Sequence, residues 1–479
     1  MPLARLNNLL CYFAAFLIFF LPAIDTDLGW HLRYGDYFLQ TGHFLKDNTL
    51  TYFLADYSWA HSYGLYQVLT AIIYKFSGLL GLAFASAALG TVSFWFFSRL
   101  YKTTTVSPLI TYSLVTLFGW NVLYLGWRAQ VFTFLFLLLE LWLLKKSEAE
   151  QKWLYILPPL FTLWANIHGG FILGLLILSF KLVDVAQGVL SKPPLRWYRF
   201  ATFGGVLLLS VGATLVNPYG TGIWQEALKH SQYPLNTLIA EWVRPTLAVS
   251  TGGAVITGVL LWQLWSRKNS QRVFYSLALL LSLVLLIQAR RNTLIWGLFA
   301  ALSALEIWEN KISDLIKTRI PENLTFLSLT SAVIALFIWI VPNTIELSTS
   351  PDAYCQEGLT PYPCKSVDFI RVNYSAVKNI FTAYEWGGFL EWQLPQYKYF
   401  VDGRMPAWPA LNGESPYATY LKIVQTQTGW DKQLKSYNTD LLLIGNGTFL
   451  DLELQKNNSK TWKEVYRDTA SVVYTKLIH

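Results

Sequence analysis

Apolar runs recur along the first 342 positions, separated by short connections rich in Lys and Arg. A run of about 20 apolar residues is what a helix needs to cross a bilayer. Eleven candidate spans follow: 9–24, 79–99, 107–126, 129–145, 153–167, 169–187, 200–217, 250–266, 273–289, 293–309 and 324–342. Several are short, which suits spans with little tilt, or spans ending at non-helical backbone that lines a cavity. The first run is not a cleaved leader: its flank is weakly basic, and Pro22-Ala23-Ile24-Asp25 lacks a small-x-small cleavage pattern.

Composition excludes several other classes. Of 479 residues 53% are hydrophobic and only 14% are charged, against about 25% charged in an average soluble domain. An ordinary soluble enzyme and a disordered chain are both excluded. The net charge is +8, but the basic residues do not gather on one domain as a nucleic-acid surface requires, so no nucleic-acid partner is expected. Three cysteines without a CxxC spacing exclude a zinc ribbon or a ferredoxin-type cluster.

Basic residues concentrate in alternate loops, which sets orientation. With the N-terminus inside, the inner loops hold Arg5, Arg99, Lys102, Lys145, Lys146, Lys152, Lys192, Arg196, Arg199, Arg267, Lys268, Arg272, Lys311, Lys317 and Arg319. The outer side then holds two long loops, 25–78 and 218–249, and everything after 342. Within the first loop, Leu65, Val68, Leu69, Ile72, Ile73 and Phe76 fall on one helical face. This predicts an amphipathic helix on the outer leaflet. Residues 343–479 are more polar, with short β-like runs at 378–384, 397–401, 441–444 and 472–475 and an amphipathic stretch at 417–436. The expected fold is thus an α-helical polytopic membrane domain, 1–342, followed by a small extracytoplasmic α/β domain, 343–479. Cys355 and Cys364 lie near the start of that domain, close enough in sequence to close a small loop.

Ionisable residues near a bilayer are expensive and mark sites. Asp25-Thr26-Asp27 ends the first span, and His31 follows one helical turn after Asp27. Two carboxylates and an imidazole can hold a hard divalent cation, and one carboxylate can instead act as a general base. The plain alternative is that Asp25 or Asp27 caps the next helix. Arg128 starts the fourth span, where it can snorkel or meet a phosphate. Asn166, His168, Gly169 and Gly170 lie between two spans with almost no loop, as a site or as a tight turn with glycine at positive φ. Glu241-Trp242 sits in the second outer loop. Arg290 and Arg291 face outward against the charge trend, matching a phosphate or else an ion pair with Glu241 or Asp25. Arg404, in Val401-Asp402-Gly403-Arg404, either reaches a ligand or caps a carboxylate. These groups gather at the outer ends of the spans, with none expected mid-span. That pattern favours interfacial chemistry over a proton relay or channel.

Taken in order, DTDLGWHLRYGDYFLQTG, WRAQVFTFLF, WANIHGGFILG, NPYG…EW, RRN and WGGFLEW…FVDGR span about 25–405. The series resembles the GT-C superfamily of integral-membrane glycosyltransferases, which includes protein O-mannosyltransferases, aminoarabinose transferases and oligosaccharyltransferase catalytic subunits. More particularly, it is similar to a large set of bacterial multi-spanning proteins within it. One departure stands out: Ser62 follows His61 where typical members carry an acid. The resemblance implies an enzyme of the cytoplasmic membrane that takes a sugar from a polyprenyl-phosphate carrier on the outer face and inverts the anomeric centre. The acceptor is a glycan, lipid or protein hydroxyl. It implies that Asp25 and Asp27 form the acidic motif, with Asp27 the base, and that some members use a divalent metal (Mg or Mn), for which Asp25, Asp27 and His31 are the candidate ligands here. The charge argument adds Arg128, Asn166, His168, Glu241, Trp242, Arg290, Arg291 and Arg404 as substrate-binding candidates, with Trp30 and Trp164 as further stacking surfaces. The alternatives are an O-antigen polymerase or ligase, a flippase for lipid-linked sugars, and a non-catalytic assembly protein.

Overall fold

A computed structural model describes residues 2–101, 106–191, 195–232, 239–319, 321–356, 362–408, 414–456 and 461–477. Lys102 and Lys192 of the inner-loop set lie outside these residues. The chain is mostly helical with one small sheet. It divides into two compact units, Met1–Ala23, Leu79–Ile223 and Pro234–Ile345 in the first, and Ile24–Gly78, Trp224–Tyr233 and Glu346–His479 in the second. The division is not a linear cut at 342, because the long loop 25–78 belongs to the same unit as the C-terminal sheet.

The first unit is a bundle of helices. It contains α1 (Leu3–Phe19), the later part of α3 (Gly64–Arg99), α4 (Val106–Phe118), α5 (Trp120–Leu123), α6 (Ala129–Ser147), α7 (Leu157–Ala165), α8 (Phe171–Ser191) and α9 (Leu195–Ala213). The helices Leu247–Ser266, Arg272–Gln288, Thr293–Arg319 and Glu322–Thr349 follow. Helix α1 packs on α4, α7 and α8 pack on α9, and Arg272–Gln288 packs on both α8 and Thr293–Arg319. Phe20, Leu21, Ala83, Ala87 and Ile340 form one of its core clusters.

The expectation of eleven spans is corrected here. Three described helices are long and apolar enough to cross a membrane: Gly64–Arg99, Leu247–Ser266 and Glu322–Thr349. The other apolar runs do not become long, charge-free helices. Run 107–126 breaks at Gly119 into 13-residue and 4-residue pieces. Run 153–167 begins as a 3-10 turn and leaves a 9-residue helix. Leu3–Phe19 and Arg272–Gln288 stop at 17 residues each. Helix α6 carries Glu140 with no exposure at all, so the expectation that no ionisable group lies within a run also fails. The bundle surface nonetheless exposes large apolar side chains, including Leu208, Val255, Trp262 and Ile338. Water would not tolerate so broad an apolar face, and lipid would. The chain is a membrane protein.

The second unit is built on a five-stranded mixed sheet of order β2-β1-β3-β5-β4, with β1 Asn379–Thr382, β2 Lys398–Tyr399, β3 Leu441–Gly445, β4 Trp462–Arg467 and β5 Ser471–Lys476. Strand β1 pairs parallel with β2 and β3, and β5 pairs antiparallel with β3 and β4. The first loop extends this sheet: Tyr399 N–H donates to Leu50 O and Tyr52 N–H to Tyr399 O. A disulfide joins Cys355 to Cys364. The amphipathic segment expected at 65–76 is the opening part of α3, which breaks at Gly78, where φ is +61°.

Helix α2 (Leu28–Thr41) lies against Gly387–Gln393 at backbone distance. A Cβ on Gly29 would meet Gly388 O at 1.8 Å, and one on Gly388 would meet Thr26 O at 2.7 Å. The glycines of the DTDLGWH and WGGFLEW stretches are therefore packing residues. Gly29→Ala should destabilise the chain by about 3 kcal/mol or more, or prevent its folding, since backbone cannot move aside as a side chain can. Gly204→Ala, in open space on α9, should change stability by no more than about 1 kcal/mol. Thermal unfolding of the two variants in detergent checks both.

Candidate functional site

Each unit holds one cluster of the residues singled out above. In the first unit, Gly126 adopts φ +74° so close to Pro22 O that a Cβ would stand 2.2 Å from it. This turn delivers Trp127 to the core and Arg128 to an extended position ahead of α6. Arg128 donates from Nη1 to Glu241 Oε1 at 2.7 Å and from Nη2 to Oε2 at 3.4 Å. Arg291 Nη1 lies 3.8 Å from the same carboxylate, and its guanidinium sits 4.6 Å above the Trp242 ring. The ion pair with Glu241, one of the alternatives for the outward arginines, is thus present for Arg291.

The turn Arg290–Asn292 is held by its backbone. Arg290 N–H donates to Val243 O at 2.9 Å, Asn121 Nδ2 donates to Arg290 O at 2.8 Å, and Asn292 Nδ2 donates to Leu285 O at 2.8 Å. Arg290 itself is exposed. Burial alone would raise the Glu241 carboxyl, but Arg128, then Arg291, hold it below the usual carboxylate range. Three guanidinium groups, those of Arg128, Arg291 and Arg290, act on the Glu241 carboxylate.

His168 follows α7. Its Nδ1 accepts from Gly170 N–H at 3.0 Å and lies 2.7 Å from Thr133 Oγ1, which in turn accepts from Trp164 Nε1 at 3.1 Å. An amide can only donate, so Nδ1 is an acceptor and the neutral ring carries its proton on Nε2. Burial, then Arg291 and Arg128, pull this histidine down to about 3. Neither Gly169 nor Gly170 has positive φ, contrary to the tight-turn expectation. Gly170 is needed for closeness instead: a Cβ there would stand 2.2 Å from Thr133 Oγ1. Asn166 spends both amide protons on Thr162 O and Val216 O, tying the end of α7 to the segment after α9. Trp164 is fully buried, as Trp30 nearly is in the other unit; only Trp242 of the three has a face near solvent.

In the second unit, Asp25 Oδ1 accepts from Asp27 N–H at 3.3 Å. Asp27 stands at the N-cap of α2 but makes no capping hydrogen bond with its side chain. Its Oδ1 accepts instead from Trp30 Nε1 at 3.0 Å and lies against Gly403, where a Cβ would come within 1.8 Å. The DTD and VDGR stretches therefore meet at this carboxylate. His31 is buried among the rings of Trp30, Tyr63 and Tyr66.

Among the described residues no three His, Cys, Asp or Glu side chains gather to hold a metal. Asp25, Asp27 and His31 do not form such a group.

Arg404, expected to reach a ligand or to cap a carboxylate, is buried and does the second. It bonds Asp402 through Nε at 2.9 Å and Nη2 at 2.5 Å, Tyr34 Oη at 2.6 Å, Asn48 Oδ1 at 3.4 Å and Glu391 Oε1 at 3.4 Å. Rings of Tyr34, Trp59 and Trp408 surround it. Burial would raise Asp402 but Arg404 holds it low; Glu391 is raised by burial and then by Asp402. Sequence reasoning missed Glu391, Tyr34 and Asn48. None of the three stands out locally, and only the fold brings them to one arginine.

No protein-family model matches the sequence, and no curated protein is detectably similar to it. Solved structures are similar in fold. One is the Archaeoglobus fulgidus oligosaccharyltransferase tethered to an acceptor peptide containing the NVT sequon, at TM-score 0.57 and 12% identity, covering 99% of this chain and 74% of that one. Another is the oligosaccharyltransferase AglB of the same organism with an inhibitory peptide and a dolichol-phosphate, at TM-score 0.56 and 12% identity, with the same coverage. A third is the A. fulgidus enzyme with Zn and sulfate, at TM-score 0.53 and 13% identity, covering 99% and 73%.

His168 generates a pH prediction. Its folded value lies far below the unfolded one, so the unfolded state binds the extra proton between pH 6.5 and about 3. Stability is lost as pH falls through that window, at about 1.4 kcal/mol per pH unit for one such group. His168→Gln should remove that share of the acid sensitivity, read as a flatter dependence of thermal stability on pH. At this level of identity the likeness shows the fold alone: the chain is folded like those archaeal oligosaccharyltransferases.

Proposed function

We propose that this chain is a membrane glycosyltransferase that moves a sugar from a polyprenyl-phosphate-linked donor to an acceptor hydroxyl, inverting the anomeric centre, at the outer face of the cytoplasmic membrane. The observation that carries the reading is the Arg128–Glu241–Arg291 cluster with Trp242 and His168. Arg128 and Glu241, 113 positions apart in sequence, meet with Arg291 and with the partly buried indole of Trp242. Guanidinium pairs suit phosphate oxygens and indole faces suit sugar rings. The fold supports the reading, since AglB of that fold binds dolichol-phosphate and peptide.

In this reading Arg128 and Arg291 neutralise the donor phosphate, and Arg290 adds charge at the surface. His168, neutral with its proton on Nε2, donates to a phosphate oxygen without adding charge. Glu241 is a positioning residue that holds both guanidinium groups in register. The acceptor oxygen attacks the anomeric carbon as the bond to the phosphate oxygen breaks. The carrier phosphate leaves with that electron pair, and the hydroxyl proton passes to Asp27. Asp25 orients the motif through the Asp27 amide. No step is assigned to a metal.

Transfer of label from a radiolabelled polyprenyl-phosphate sugar pool in membranes tests this. Arg291→Gln should lower kcat/KM by about 100-fold to 1,000-fold, the scale of losing one donor to developing charge. Asp27→Asn should lower kcat by about 100-fold or more. Full transfer by Asp27→Asn would remove it as the base. Full transfer by both variants would overturn the proposal.

A further inference from the structure

A second cluster of cations lies at the other end of the first unit and takes no part in the reading above. Helix α6 separates the two, with Arg128 ahead of its first residue and Glu148 just after its last. Nineteen residues of helix are about 28 Å long. At that end a polar cavity of about 500 Å³ is lined by Glu148, Lys181, Asp184, Arg199, Lys268 and Arg272, among others. This is where the basic loops gather.

The charges there do not balance. Lys181 is buried and takes both acids, at 3.1 Å from Glu148 and 3.4 Å from Asp184. Arg199, Lys268 and Arg272 have no carboxylate partner among the described residues. Arg199 packs over Phe203 and Arg272 over Trp265. Those rings fix the guanidinium planes but do not neutralise them. Arg199 Nε is also removed from solvent with no hydrogen-bond partner. A buried donor in that state is unfavourable until an acceptor arrives.

The surroundings say what kind of anion fits. Trp197 and Tyr198 on α9, and Trp262 and Trp265 at the end of Leu247–Ser266, are all more than half exposed. Exposed Trp and Tyr at helix ends mark the headgroup level of a bilayer. Leu208 and Val255, further along the same two helices, are exposed as lipid-facing residues are. Basic pockets between membrane helices on the cytoplasmic side are suited to anionic headgroups. We infer that this cavity binds the phosphate headgroup of an anionic phospholipid from the leaflet at the basic-loop end, with Arg199, Lys268 and Arg272 as its cations.

Native mass spectrometry of the full chain in detergent, titrated with phosphatidylglycerol, phosphatidylcholine or inorganic phosphate, tests the assignment. Phosphatidylglycerol should bind well ahead of the other two. The double variant Arg199→Gln/Arg272→Gln should weaken it by about 10-fold to 30-fold, as expected for two headgroup cations. Lys152→Gln, at the same end but outside the cavity lining, should bind as wild type. Circular dichroism establishes that each variant is folded. Equal binding of the two lipids, or an equal loss in Lys152→Gln, would overturn the site. Phosphate binding as tightly as phosphatidylglycerol would overturn the lipid as its source and leave a site for a soluble phosphate ester.

Discussion

Arg404 is removed from water entirely, and a guanidinium so placed costs several kcal/mol unless its charge and donors are matched. The second unit is arranged around meeting that demand. Asp402 supplies the counter-charge, Glu391 lies against the same guanidinium with its carboxyl raised by burial, and Tyr34, Asn48, Trp59 and Trp408 complete the shell. These groups come from α2, from the loop beyond it, from the helix Gly387–Gln393 and from the turn after β2. One ion pair therefore joins four segments spread over some 370 positions. The glycines at 29, 388 and 403 let the same segments close to backbone distance.

Arg128 meets the same constraint in the first unit, with a different outcome. It too is buried and held by a carboxylate through two bonds. But Glu241 is shared with Arg291 and is about a quarter exposed. Glu241 thus serves two guanidinium groups and keeps some exposure, whereas Arg404 and its carboxylates are sealed from solvent. That contrast is why one arginine is read as a scaffold and the other as part of an anion site.

Broken helices are what make room for such groups. The polar residues of the first unit sit where helices stop: after Gly126, at 166–170 and at 289–292. At each stop, non-helical backbone finds partners inside the protein, as it must near lipid. The short helices and the candidate site have one cause.

Much of this was legible in the sequence. The apolar runs and the change of composition near 342 indicate a helical membrane part and a small sheet-bearing part, because hydrophobic burial follows composition alone. Asp25, Asp27, Arg128, His168, Glu241 and Arg291 stand out because charge beside apolar runs is costly wherever the chain goes. The helical face at 65–76 was readable from a local period, whereas the break at Gly78 was seen only in the structure. Helix lengths were not: whether a run becomes one long helix or two short ones turns on contacts such as Gly119 against Leu294, which are remote in sequence. Nor was the allegiance of loop 24–78 to the C-terminal sheet, since hydropathy carries no pairing information. The partners of Arg404 and the rings around His31 likewise come largely from residues remote in sequence. Local sequence determined which residues are too polar to be idle. Tertiary structure decided which of them are neutralised by a partner and which keep a charge to offer.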